Sequence, residues 1–126
     1  MGIDVYLRWE LQTQEQQDAQ LTGFSIAHGH VGYLREAYHG EPYATKALLP
    51  ECFGPGDSCE SKVIPATTLR ERLPKAMRLA LERERHIYGN REANEDTPAV
   101  RSFVEFVELA ERLEAEGQEV RVVASW

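Results

Sequence analysis

The chain of 126 residues carries 14 basic and 21 acidic side chains, a net charge of −7, with 42% hydrophobic and 28% charged residues. One compact domain of that size buries roughly two-thirds of its unfolded surface, so a core forms without disulfide or metal staples. The acidic balance and the lack of any Lys/Arg run set nucleic acid and anionic membrane aside as partners, and no apolar run of about 18 residues is present to span a bilayer.

The opening segment, Met1-Gly2-Ile3-Asp4-Val5-Tyr6, has no basic leader before an apolar stretch, and Tyr6 stands where acylation of Gly2 would want Ser or Thr. A cytoplasmic protein is therefore expected. Residues 3–11 alternate: Ile3, Val5, Leu7, Trp9 and Leu11 face a core, while Asp4, Tyr6, Arg8 and Glu10 face away. That period of two predicts a half-buried strand. Residues 12–22 are polar, and the Thr13/Gln16 spacing is that of a capping box, which predicts a short surface helix or ordered loop outside the core.

Residues 23–50 are punctuated by Gly29, Gly32 and Gly40. A brief extended piece is expected at 24–27, one or two helical turns over Leu34–Tyr38, and an extended or helical segment over Ala44–Leu49. Gly54, Pro55 and Gly56 mark a loop flanked by Cys52 and Cys59. The cysteines stand seven positions apart, which is neither a zinc-knuckle nor a redox-pair spacing, so two free thiols on a loop are expected. Lys62–Pro65 reads as extended.

Thr68-Leu-Arg-Glu71 has the capping-box spacing and opens a helix to about Tyr88, with Leu69, Leu73, Ala76, Met77, Ala80, Ile87 and Tyr88 on one stripe. Pro74 predicts a kink, or a new helix beginning there. Thr97 and Pro98 start a second helix, which Gly117 ends. Its apolar face is broad, from Val100 through Phe103, Phe106, Val107 and Ala110 to Leu113, and suits either the centre of a sheet or a partner subunit. Glu119–Trp126 returns to a strand. The fold class is α/β or α+β: one domain, 1–126, with a small mixed sheet holding the N- and C-terminal strands and two main helices packed on it.

Phosphate loops, dinucleotide fingerprints, zinc-protease helices and nucleophile elbows are absent. The chemistry that remains is concentrated in His28, His30, Tyr33, Arg35, Glu36, Tyr38, His39 and Tyr43. The leading expectation is a binding or interaction domain. Its small anionic ligand or protein partner meets this segment together with Arg8 on the polar face of the first strand, because an arginine fork matches a carboxylate or phosphate. The catalytic alternative has Asp4 orient His30 or His39 as a general base. His28 and His30 can approach one metal from an extended segment, with His39, Cys52, Cys59 or a carboxylate completing the sphere, but that spacing is permissive only. No metal or other cofactor is assigned. A third alternative is a structural homodimer formed through the broad helix face, so monomer and homodimer both stay open.

Overall fold

The computed structural model describes residues 2–22, 31–54 and 61–126. The extended piece expected at 24–27, His28, His30 and Cys59 lie outside the described residues. Four strands, β1 (Gly2–Arg8), β2 (Tyr33–Ala37), β3 (Lys62–Val63) and β4 (Arg121–Ser125), form one sheet in the order β2-β1-β4-β3. All three pairings are antiparallel, so the sheet is not mixed. The helices are α1 (Gln14–Thr22), α2 (Ala44–Leu48), α3 (Ala66–Glu82) and α4 (Pro98–Ala115).

The alternation in β1 does what a period of two requires. Ile3, Val5 and Leu7 are buried with Leu34 of β2 and with Val122 and Ala124 of β4, and α2, α3 and α4 close that face. The strand ends at Arg8, earlier than the alternation suggests, because the chain turns at Trp9–Gln12 to enter α1. Gln12 N donates to Trp9 O at 3.1 Å. Leu11 is consequently 70% exposed and Trp9 only partly buried. The α1 capping box forms in both directions, Thr13 N to Gln16 Oε1 at 2.8 Å and Gln16 N to Thr13 Oγ1 at 3.1 Å. This helix is not purely a surface element: Gln20 is fully buried and donates from Nε2 to the carbonyls of Leu7 and Val31.

The expected helical turns over Leu34–Tyr38 are instead the strand β2 through Ala37, with Leu34 and Glu36 inward and Tyr33 and Arg35 outward. α3 begins two residues before Thr68, directly after Pro65, and Glu114 Oε2 of α4 caps it by accepting from Ala66 N at 2.8 Å. Pro74 does not break it, because Leu69, Leu73, Ala76 and Ala80 hold one buried stripe along its length. Beyond Glu82 the chain winds into a π-turn, Arg83–Ile87, with Tyr88 N donating to Arg83 O. The wider turn shifts the register of the stripe. Arg83 goes inward, while Ile87 and Tyr88 come out half-exposed.

The broad face of α4 is spent within the chain: Val100, Phe103, Phe106, Val107, Ala110 and Leu113 are all buried. Its C-terminus closes in a Schellman arrangement, Gln118 N to Leu113 O and Gly117 N to Glu114 O, with Gly117 at φ +85°. Cys52 is not on a loop. It is buried in a 3₁₀ turn, Pro50–Cys52, with Sγ 3.9 Å from Val122 O. Among the described residues no helix is long and apolar enough to cross a membrane.

Gly32, directly before β2, lies at a point of close approach. Its φ is +86°, and a Cβ there would sit 2.9 Å from Gln20 Nε2 and 3.0 Å from Leu7 Cβ. Gly40 has a similar φ of +93° with open space around it. Gly32→Ala is expected to cost about 2–5 kcal/mol, the left-handed penalty plus overpacking, and Gly40→Ala only about 1–2 kcal/mol. Urea unfolding of the two variants checks this; equal losses would remove the close-contact contribution.

Candidate functional site

Two polar groups are built on adjacent residues of β2, one on each face of the sheet. On the face away from the helices, pairing aligns Arg35 with Asp4 and Ser125, and Tyr33 with Tyr6 and Val123. Asp4 Oδ1 accepts from Tyr33 Oη at 2.7 Å and from Arg35 Nη1 at 2.8 Å. The rings of Tyr6 and Tyr33 stack with centroids 5.3 Å apart, and the Arg8 guanidinium lies 4.9 Å from the Tyr6 centroid. Burial first, then the bond to Asp4, pushes the Tyr33 hydroxyl well above the usual tyrosine value. The hydrogen bond that Arg35 makes to Tyr33, followed by the charge of Asp4, raises Arg35, whereas burial lowers Arg8.

That contrast has a structural cause. Arg35 has a carboxylate partner; Arg8 has none among the described residues. Its polar contacts are Gln20 Oε1 and the Leu7 carbonyl, both neutral. Arg121 of β4 lies on this same face, paired across from Arg8, with Glu119 Oε1 3.1 Å from its Nη2.

On the opposite face Glu36 points into the core with no exposed side-chain surface. Its Oε1 accepts from Thr45 N at 2.8 Å and Thr45 Oγ1 at 2.6 Å, and its Oε2 from Ala44 N at 2.9 Å, so the carboxylate caps α2. Oε2 also accepts from Arg83 Nη1 at 2.8 Å and His39 Nε2 at 2.9 Å. Because an ionised carboxylate only accepts, His39 carries its proton on Nε2. Burial pushes Glu36 up, but the bonds from His39, Thr45 and Ala44 outweigh it and hold the carboxyl below its usual value. Arg83 is 4% exposed, and its Nε has no hydrogen-bond partner among the described residues; Glu84 Oε1 stands 4.0 Å away.

The expected site residues thus separate. Arg8, Tyr33, Arg35 and Asp4 converge on the outer face. Glu36, His39 and Tyr43 gather inside, with the His39 and Tyr43 rings 4.7 Å apart. Tyr38 is half-exposed at the end of β2. Asp4 does not meet His39, because consecutive residues of a strand face opposite ways and the histidine belongs to Glu36. That carboxylate is already compensated by Arg83 and three α2 donors, which makes the group a strut between elements. Among the described residues no three His, Cys, Asp or Glu side chains converge as a metal site.

Two residues escaped the sequence reading. Thr45 carried no visible signal. Arg83 did: Leu69, Leu73, Ala76, Ala80 and Arg83 continue one helical spacing, so the arginine occupies the next core position. No protein-family model matches the chain, and no curated protein or solved structure matches it.

Glu36→Gln is expected to cost about 3–5 kcal/mol at neutral pH, because it strands a buried Arg83. Pairing it with Arg83→Met should recover part of that loss in a double-mutant cycle. Since the folded carboxyl sits below its unfolded value of about 4.3, the stabilisation is full above that pH and disappears as pH falls through the lower folded value. Denaturation midpoints between neutral pH and about pH 3 should therefore fall less steeply in Glu36→Gln than in the wild type. Parallel acid limbs would refute the assignment.

Proposed function

We propose that the protein is a cytoplasmic binding domain for a small anionic ligand, a carboxylate or phosphate, received on the outer sheet face by Arg8 and Arg35. The observation that carries this reading is Arg8: a partly buried guanidinium with only neutral partners, in a chain of net charge −7. A cation withdrawn from water is ordinarily compensated by a carboxylate, and here an incoming anion would supply that compensation. Arg35 supports it as a second donor, since Asp4 occupies only its Nη1 and a third of the side chain stays exposed. Tyr6, held between Tyr33 and the Arg8 guanidinium, keeps that guanidinium in place.

Thermal-shift and calorimetric titration with inorganic phosphate, citrate and a nucleoside monophosphate tests the reading. At least one anion should bind. Arg8→Gln should weaken it roughly tenfold or more, in keeping with about 1.5–3 kcal/mol for a hydrogen bond to a charged group. Arg35→Gln should weaken it in the same direction. No binding at millimolar concentration, or binding indifferent to both substitutions, would defeat the proposal.

A further inference from the structure

The turn after β1, one side of α1 and the end of α4 line a groove of about 670 Å³ that shares no residue with either polar group described above. Its volume falls within the roughly 300–1,000 Å³ of small-molecule sites. The apolar lining includes Leu109 and Leu113 of α4, each nearly buried, with Trp9 and the 70% exposed Leu11 from the turn. A leucine that exposed gains nothing from the core, yet it stands where it extends the apolar wall.

Arg112 also lines the groove. The other α4 arginine, Arg101, reaches Glu105 and Glu108, but Arg112 has no ion pair or side-chain hydrogen bond among the described residues. Two carboxylates, Glu15 and Glu116, line the same groove. They outnumber Arg112, so the one place in the groove that favours a negative charge is beside the guanidinium, and an occupant with more than one negative charge is disfavoured. We propose that the groove binds a small amphipathic carboxylic acid, its apolar body on Trp9, Leu109 and Leu113 under Leu11, and its carboxylate on Arg112. This site is independent of the outer-face arginines.

Calorimetric titration of the full chain with octanoate, and with octanol as its uncharged isostere, tests the assignment. Octanoate should bind about tenfold more tightly than octanol, and Arg112→Gln should erase that difference by weakening octanoate alone. Leu11→Asp, at a position exposed enough to leave the fold intact, should weaken both ligands, while Arg8→Gln should change neither. Absence of octanoate binding, equal affinity for the two ligands in the wild type, or indifference to Arg112→Gln and Leu11→Asp would each overturn the proposal.

Discussion

The Glu36 carboxylate is the junction on which the molecule is assembled. It sits on an edge strand, yet its partners come from three further places: the start of α2, the His39 turn and the π-turn after α3. A charge withdrawn from water survives only when its lone pairs are satisfied, and here both oxygens are. Replacing the cluster with apolar side chains could match its stability, as buried ion pairs rarely exceed a well-packed core. What apolar side chains would not reproduce is direction: five donors must arrive at two oxygens from three segments.

The π-turn is the backbone's accommodation to that geometry. Continuing α3 as an α-helix would keep Ile87 and Tyr88 near the buried stripe. Instead the wider turn that begins at Arg83, itself the next inward position of the α3 stripe, releases the two large side chains that follow toward solvent. Among the described residues the Nε of Arg83 has no hydrogen-bond partner, because the side chain is aimed by its Nη1 bond and Glu84 falls just short.

How far the fold was legible follows from the same chemistry. β1, β4 and α4 announce themselves because their inward positions, Ser102 of α4 excepted, are apolar, so period and burial coincide. β2 hid because Glu36 takes an inward place. With a charge in that place, Leu34–Tyr38 loses its alternation and reads as helical turns. Arg83 hid for the converse reason: it continues a helical stripe, but from within the charged run Arg83–His86. The acidic end of α4 has its meaning across the helix interface, where Glu111 pairs with Arg70 and Glu114 caps α3. Of the candidate site, the polar face of β1 could be read from alternation alone; its partners on β2 could not, since their facing depended on the strand that Glu36 concealed.

Arg35 and Glu36 are consecutive, and this adjacency joins the strut to the proposed site. A one-residue slip of β2 against β1 would exchange their faces, turning Arg35 into the apolar layer beside Ile3 and Glu36 out to solvent. An ordinary apolar strand resists such a slip only through burial. Here the slipped register would also leave α2 uncapped and Arg83 without its carboxylate. The inward carboxylate therefore fixes the outward guanidinium: Arg35 stands beside Asp4, and Tyr33 against Tyr6, because Glu36 has a single register in which its bonds can form. The position of Arg35 beside Asp4 thus depends on a network that lies wholly on the other side of the sheet.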